Sequence, residues 1–317
     1  MQVSRNNLKT NKAVNFKSLS QVKFNRIFPV FLANTDEKDR MVRGMRPIFA
    51  DRLSSKWRSN NLRILDIGCG DGFTASKIYE SIHSLAPNKK LSVRAIDNNS
   101  DLLKAYRSRF EGQSGFGEIK TEQKDIFSQG NFEDNADLEI ISHSLYHAQK
   151  ENLGTIITSI HDSLKKGGVA VISMLKGDSD FNIIQKRYGH HVTNASETNP
   201  VGVTLDDIKK EIASHPKIAT KTTFEPYNAY VYFPQKHFGD FEKWQKIAPQ
   251  KPAPNPEAQK TLDLLEFIVH GDFENLRKNK VLGDFLTTAA YMFGENGHSA
   301  SGAPRINFNG ENIFIKK

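Results

Sequence analysis

Apolar and polar positions follow two alternating periods along most of the chain, and these periods predict an ordered series of strands and helices. Five apolar, β-leaning runs read as buried strands, at residues 62–67, 91–96, 118–123, 137–142 and 169–175. Between them, apolar residues recur every three to four positions, which predicts helices over residues 75–85, 100–110 and 151–166. Gly167 and Gly168 are expected to close the last of these helices. Strands that alternate with helices predict an α/β fold with a doubly wound, mostly parallel sheet.

Two amphipathic helices are predicted ahead of the first strand. Phe24, Phe28, Phe31 and Leu32 form one apolar stripe, and a second helix begins after Thr35, with acidic residues in its first turn. These helices either pack on the sheet or form a lid over one end of it, and both roles are compatible.

Beyond residue 177 the alternation is interrupted. Helices are predicted over residues 181–188, 204–213 with Thr204 as N-cap, 262–268 and 281–293. Residues 218–233 and 306–315 alternate as strands do, and the last one is expected to be an antiparallel edge strand. The prolines at positions 249–256 predict an irregular loop.

The most informative stretch is LRILDIGCGDGFT, residues 62–74, in which a strand, a glycine-rich turn and a helix follow one another. In open α/β sheets, ligands bind beyond the carboxyl ends of the strands, and glycines there allow the backbone to approach the ligand. The spacing is GxGxG rather than the dinucleotide pattern GxGxxG, and Asp71 lies inside the turn. A carboxylate there suits a cationic ligand better than a phosphate. Cys69 is expected to be a packing residue in this turn.

Composition limits the class of protein. The chain has 317 residues, 38% of them hydrophobic, and its single cysteine excludes an internal disulfide and fits a reducing, cytoplasmic compartment. No apolar run approaches the ~20 residues that span a bilayer, and no signal-peptide pattern is present at the N-terminus. The net charge is +8, and the residues before Asp36 include no acidic one. This basic leader is interpreted as a solvated arm, with RNA binding as the alternative.

The stretch at residues 62–74 resembles motif I of the class I S-adenosylmethionine-dependent methyltransferases. More closely, the chain is similar to histamine N-methyltransferase and related small-molecule methyltransferases, over residues 24–37, 62–72, 177–189, 204–208 and 308–315. The resemblance implies a Rossmann-like, seven-stranded sheet. It also implies four segments: a basic arm at 1–23, an N-terminal helical lid at 24–60, a cofactor-binding core at 61–176, and helical insertions with the last strands, forming the substrate region, at 177–317.

The resemblance also assigns candidate site residues. The expected cofactor-binding residues are Asp66, Gly68, Cys69, Gly70, Gly72, Asp97, Asn98, Asp125, Ile126, Ser142 and His143. Asp97 would accept the ribose hydroxyls, while Asp125 and Ile126 would meet the adenine, although Asp125 also reads as a solvated turn residue. The expected substrate-binding residues are Phe24, Phe28, Glu37, His147, Phe181 and Asn309. Glu37 would anchor a cationic amine, and His143, Glu37 and Tyr146 are the candidate catalytic residues. No metal site is predicted.

These assignments predict direct transfer of a methyl group from S-adenosylmethionine to a small-molecule acceptor, with an amine nitrogen as the preferred nucleophile. Two alternatives stay open. In the first, His143 is the general base of an O-methyltransferase that acts on a hydroxyl or carboxylate. In the second, the basic arm brings an RNA or protein substrate to the enzyme. We expect a monomer without membrane or nucleic-acid partners.

Overall fold

The computed structural model describes residues 21–125, 127, 135–192, 202–234, 256–269, 271, 273–295 and 304–317. Two helices come first, α1 (Gln21–Leu32) and α2 (Glu37–Ser55), as the apolar stripes predict. Among the helices in these ranges, none is both long enough and apolar enough to cross a membrane.

Seven strands form the main sheet, in the order β3-β2-β1-β4-β5-β9-β6. Strands β1 to β5 pair in parallel, whereas β9 lies antiparallel between β5 and β6. The strands are β1 (Asn61–Ile67), β2 (Lys90–Asp97), β3 (Phe116–Gln123), β4 (Ala136–Ser142), β5 (Leu164–Leu175), β6 (Thr222–Tyr227) and β9 (Gly310–Lys316). The predicted doubly wound sheet with seven strands is therefore confirmed.

Helices cover both faces of this sheet because each central strand is apolar on both sides. In β1, Leu62 and Ile64 pack toward α2, α3 and α4, whereas Leu65 and Ile67 pack toward α5 and α7. The helices after β1 are α3 (Phe73–Leu85), α4 (Ser100–Phe110), α5 (Leu153–Ser163), α6 (Asp180–Val192), α7 (Leu205–Ser214), α8 (Pro216–Ala219), α9 (Pro256–Val269), α10 (Phe273–Lys278) and α11 (Leu282–Glu295).

Several predicted boundaries are wrong. The helix predicted over residues 151–166 ends at Ser163, and strand β5 begins at Leu164, so Gly167 and Gly168 lie within the strand segment rather than at a helix end. Gly167 has a φ of +86°, and the register of β4 with β5 shifts beside it, so this glycine marks an irregularity of the strand. Pro256 begins α9 instead of ending the loop, since proline is accepted in the first turn of a helix.

The C-terminal strand also differs from the prediction. It is broken into β8 (Arg305–Asn307), which pairs with β7 (Tyr230–Tyr232) in a separate two-stranded sheet, and β9. Strand β9 is not at the edge of the main sheet, because β6 pairs with its outer side. The predicted N-cap at Thr204 is confirmed, since Thr204 and Asp207 form a capping box at the start of α7.

Candidate active site

A cavity of about 670 Å³ opens at the carboxyl ends of β1 and β4, where a doubly wound sheet places its ligands. One end is lined by the glycine turn after β1, including Asp66, Gly68, Cys69 and Gly70. The other end is lined by aromatic side chains from α1, α6, α9 and the segment between β8 and β9. The volume lies within the range of small-molecule sites, which is roughly 300–1,000 Å³.

The glycine turn needs its glycines for different reasons. Gly68 has a φ of +64°, and a Cβ there would overlap the side chain of Ser144. Gly70 has a φ of +56°, but a Cβ there would meet no atom within 4 Å, so this position faces open space in the cavity. Gly72 does not line the cavity, because it packs against Phe110 and Tyr106 at the start of α3.

Asp66 is the buried carboxyl at the base of the turn. It accepts a hydrogen bond from Tyr106 (3.0 Å), whose hydroxyl is 2.6 Å from that of Tyr79. Burial raises the pKa of Asp66 to about 7; Asp97 adds to the rise, and the hydroxyl of Tyr106 opposes it. Asp66 therefore titrates near neutral pH and would be held ionised by a cation bound in the cavity.

Asp71 is not the free carboxylate that the sequence suggested. Its Oδ2 pairs with Nη2 of Arg109 at 3.0 Å, and its Oδ1 accepts from the backbone N–H of Phe73. The side chain therefore fixes the turn to α4. Burial raises the pKa of the Cys69 thiol, which keeps it protonated and agrees with a packing role.

The predicted ribose and adenine residues lie near one another but outside the cavity wall. The Asp97 carboxylate accepts from the backbone N–H of Gly70 (2.9 Å) and of Asn99 (2.9 Å), so it positions the glycine turn. Asn98 and Asp125 are exposed. Burial lowers the pKa of His147, which lines the cavity, and the charges of Asp97 and Asp125 oppose that effect. Ile126 lies outside the described residues.

Strand β4 ends in a strained residue that points into the site. Ser142 lines the cavity, and His143 follows it with a φ of +52°, a conformation that costs a residue other than glycine roughly 1–2 kcal/mol. The Nε2 atom of His143 lies 2.7 Å from Oε1 of Glu37, and its Nδ1 lies 3.1 Å from the hydroxyl of Tyr146. That hydroxyl also accepts from the backbone N–H of Leu175.

These contacts specify one direction for the protons. The ionised carboxylate of Glu37 can only accept, so Nε2–H of His143 donates to it. In a neutral imidazole Nδ1 is then an acceptor, so the hydroxyl of Tyr146 donates to Nδ1, while its oxygen accepts from Leu175. Burial lowers the pKa of His143 and the charge of Lys38 lowers it further, against the pull of Glu37, so the imidazole is neutral.

Glu37 lies behind the cavity wall. Its side chain is fully buried; Oε1 also accepts from the hydroxyl of Tyr227 (3.1 Å), and Oε2 pairs with Nζ of Lys38 (2.9 Å). Burial alone would raise the pKa of Glu37, but Lys38 and His143 hold it well below its usual range. Oε2 has no hydrogen-bond partner beside this ion pair, but Glu37 is fully buried and does not line the cavity, so a substrate amine in the cavity would not contact it in this structure.

The aromatic end is built from segments that are distant in sequence. The ring centroids of Phe31 and Phe267 are 4.1 Å apart, those of Phe181 and Phe308 are 4.8 Å apart, and Phe28 packs on Phe31 and Phe267. All five rings line the cavity. Of the predicted substrate residues, Phe28 and Phe181 therefore line the cavity, whereas the side chain of Phe24 lies outside the described residues.

Asn309 is the other predicted substrate residue that the cavity does not include. Its Oδ1 accepts from the backbone N–H of Ala229 at 3.0 Å, so it ties the β8–β9 connection to the β6–β7 connection.

Several polar residues of the cavity were missed by the sequence reasoning, among them Lys38 and Gln185. Lys38 follows Glu37 directly, in the first turn of α2, where a cation opposes the helix dipole; that unfavourable placement was the available signal. Gln185 lies on α6 among the predicted apolar positions and also lines the cavity. No sequence signal distinguished Gln185 from an ordinary surface residue.

The residues present fit S-adenosylmethionine at the glycine end. Gly70 leaves open space where a side chain would stand, Asp66 offers a carboxyl to a cationic group, and the partly buried hydrogen bond from Gly70 to Asp97 fixes the turn. Within the turn after β1, the other charged side chain is that of Asp71, and its charge is paired with Arg109.

Comparison with known proteins agrees with this geometry. Residues 58–246, more than half of the chain, match a family described as a methyltransferase domain. The carboxy-S-adenosyl-L-methionine synthase of Colwellia psychrerythraea is 27% identical over 180 residues, which are 55% of this chain and 66% of that protein. The match thus spans slightly less than two thirds of that relative.

Solved structures to which this chain is similar include two methyltransferases. The plantazolicin methyltransferase BpumL in complex with SAH has a TM-score of 0.46 at 13% identity, covering 96% of this chain and 95% of that one. A putative methyltransferase from Bacillus halodurans has a TM-score of 0.45 at 16% identity, covering 85% and 98%. With the family match over the core and the glycine turn at its centre, the chain belongs to the methyltransferase domain family and is a class I, S-adenosylmethionine-dependent methyltransferase domain.

Proposed function

We propose that this protein transfers the methyl group of S-adenosylmethionine to a small-molecule acceptor whose nucleophile is an amine nitrogen. The observation that supports this most directly is that one continuous cavity is lined by the glycine turn, by the aromatic wall and by His143. Asp66, Gly68, Cys69, Gly70, Ser142 and His147 would hold the cofactor at one end, and Phe28, Phe31, Phe181, Phe267 and Phe308 would enclose the acceptor at the other.

When bound, the cofactor supplies an electrophilic methyl group on a sulfonium. The work of the protein is then to position the acceptor and exclude water, and positioning alone contributes up to ~7–11 kcal/mol to such reactions. The five phenylalanines provide a dry wall, and the hydrogen-bonded imidazole of His143 provides a fixed polar edge beside it.

The state of His143 favours an amine over a hydroxyl. Both ring nitrogens are already hydrogen-bonded, Nε2 to Glu37 and Nδ1 to Tyr146, so neither offers a free lone pair to a substrate hydroxyl. A neutral amine needs no general base before it attacks, whereas a hydroxyl does.

O-methylation remains the second candidate because an ionised carboxylate is hydrogen-bonded to the imidazole. Glu37 would stabilise a proton that His143 received through Tyr146. On that route the pH dependence of kcat reports the titration of His143, and His143→Ala abolishes that dependence. On the amine route, His143→Ala lowers kcat more than it lowers cofactor affinity, and no ionisation of His143 shapes the profile.

The test is a transfer assay with methyl-deuterated S-adenosylmethionine. Purified protein is incubated with biogenic amines, amino-acid derivatives, hydroxylated aromatics, small acids and RNA, and both nucleoside and acceptor are analysed by mass spectrometry. We expect S-adenosylhomocysteine together with one equivalent of labelled N-methyl product. Label on oxygen would select the second candidate. Label on RNA alone, or a nucleoside product with an added carboxyl group as the name of the Colwellia relative implies, would overturn the proposal.

A further inference from the structure

Lys38 is a buried cation in the wall of the cavity. Its side chain is 10% exposed, and it lines the same cavity as the aromatic side chains of α1, α6 and α9. Its ammonium has three N–H donors. Nζ lies 2.9 Å from Oε2 of Glu37 and forms an ion pair with it, although Oε2 is a buried atom without a hydrogen-bond partner. The part of the chain that the structure describes offers Nζ no second ion-pair or hydrogen-bond partner.

This arrangement leaves N–H donors of Lys38 available to a ligand in the cavity. On the carboxylate of Glu37, Oε1 accepts from His143 and Tyr227, whereas Oε2 has the ion pair with Lys38 and no hydrogen-bond partner. Glu37 is fully buried and does not line the cavity, whereas Lys38 does, so the group of this pair that a ligand in the cavity can reach is the ammonium.

The charges around the pair point to the same ligand. The imidazole of His143 is neutral, and the negative charge of Glu37 is balanced by Lys38. A cationic substrate group next to Lys38 would therefore be repelled by the ammonium and would find no unbalanced negative charge there. An anionic ligand group would instead lie next to the ammonium of Lys38, with the carboxylate of Glu37 on the other side of that ammonium. This alternation of negative and positive charges is favourable in a site of low dielectric constant. The aromatic wall of the same cavity would cover the apolar body of such a molecule.

Building on the proposed function, we propose that Lys38 binds a carboxylate in the cavity, and that the acceptor is a small carboxylic acid of amino-acid type rather than the plain amine. The nucleophilic nitrogen would lie toward the glycine turn and the carboxylate toward Lys38. The amino-acid portion of the cofactor also carries a carboxylate, so the experiment has to separate the two sources.

The acceptor arm uses matched pairs that differ only in the carboxylate: histidine with histamine, phenylalanine with phenethylamine, and tryptophan with tryptamine. Binding to the protein saturated with S-adenosylhomocysteine is measured by calorimetry and by thermal shift. We expect the acid of at least one pair to bind at least tenfold more tightly than its amine. Lys38→Met should remove that preference, because it keeps the length of the side chain and deletes the charge.

The cofactor arm measures the Kd of S-adenosylhomocysteine in the wild type and in Lys38→Met. We expect less than a threefold change. A tenfold or larger loss with no preference for acids would assign Lys38 to the cofactor's carboxylate and overturn the acceptor assignment. Preference for amines over acids would also overturn it, while methyl transfer to those amines would leave the proposed function standing.

Two further variants keep the test interpretable. Lys38→Met alone leaves Glu37 buried without its cation, so the double variant Glu37→Gln/Lys38→Met is measured in parallel, in which both charges are absent. The matched control is Lys209→Met, which breaks another lysine pair with a buried carboxylate, Glu311 (2.7 Å), away from the cavity. The control should keep the acid preference, and its loss there would overturn the proposal.

Discussion

The charge of Glu37 is tolerated inside the protein because three donors from three segments surround it. Lys38 comes from the same helix, His143 from the end of β4 and Tyr227 from the end of β6. Neither partner outside the helix is near in sequence: His143 is 106 positions away and Tyr227 is 190. The sequence therefore could indicate that Glu37 belongs to the candidate site, but it could not show that Glu37 is the buried residue on which Lys38, His143 and Tyr227 converge.

We predict that Glu37→Gln destabilises the fold mainly through Lys38. The amide keeps an oxygen for His143 and Tyr227 but leaves the ammonium unpaired, and breaking one side of a buried ion pair costs about 3–5 kcal/mol. Urea unfolding of Glu37→Gln, Lys38→Met and the double variant forms a double-mutant cycle. The double variant should be more stable than the sum of the single losses predicts, and simple additivity would contradict the pairing.

A second prediction at this scale concerns Asp66. Its pKa is about 7 in the folded protein, against an ordinary value of 3.8, so the folded state binds more protons than the unfolded state between these pH values. Stability must then decrease as pH rises from about 4 to 7 and become constant with respect to this group above 7. The total effect is on the order of 4 kcal/mol, at 1.36 kcal/mol per pKa unit.

The comparison with Asp66→Asn isolates that group, because other residues that titrate are common to both proteins. The variant should gain stability relative to the wild type between pH 5 and 7.5, measured by urea unfolding without cofactor. A difference that does not change over that range would mean that Asp66 ionises at its ordinary pKa.

At the scale of the elements, the three glycines of the turn between β1 and α3 have clearly different structural roles. Gly68 needs both its left-handed φ and the absence of a Cβ, whereas Gly70 needs only the φ as far as protein contacts are concerned. The sequence predicted the glycine turn correctly because the strand, the spacing and the helix are local signals. It could not distinguish the three glycines, since Ser144, Phe110 and Tyr106 approach the turn from other elements.

This division predicts different outcomes for the same substitution. Gly68→Ala should destabilise the protein by several kcal/mol, because the new methyl overlaps Ser144 in addition to the backbone strain. Gly70→Ala should cost only the strain, roughly 1–2 kcal/mol, and should instead weaken S-adenosylhomocysteine binding, since its methyl enters the cavity. Thermal unfolding and calorimetry of both variants provide the check, and equal stability of the two would contradict the assigned overlap.

Elements whose ends depend on tertiary contacts were predicted less well. The Thr204 cap was found because the capping box lies within four residues. The start of β5 at Leu164 and the break between β8 and β9 were not, because pairing with β4 and β7 determines them. The pattern of apolar residues reports the helix or strand period, while the pairing partner decides where the segment begins.

At the scale of the whole molecule, the cavity has one locally encoded end and one end that only the fold assembles. Residues 66–75 supply most of the glycine end, and the sequence placed them correctly beside the sheet. The aromatic end combines residues from α1 with Phe181, Phe267 and Phe308, so more than two hundred positions separate its members. Phe28 and Phe181 were predicted from a family resemblance, whereas Phe267 and Phe308 were apparent only as apolar positions of their elements.

This division implies that the two ends can be altered independently. Phe267 stacks on Phe31 at 4.1 Å and lies about 6 Å from Phe28 and Phe181, all distances between ring centroids, so it is the centre of the aromatic wall. Phe267→Leu preserves apolar volume but removes the stacking, which is worth about 0.5–1.5 kcal/mol for each aromatic pair. We expect the Kd of S-adenosylhomocysteine to change less than twofold, while kcat/KM for the acceptor found in the labelled-methyl assay falls about tenfold.

Phe116→Leu is the matched control, since Phe116 belongs to a separate aromatic cluster with Tyr79 and Phe110 that does not line the cavity. It should leave both constants unchanged; if Phe267→Leu instead weakened the cofactor and spared the acceptor, the aromatic end would have to be assigned to the cofactor.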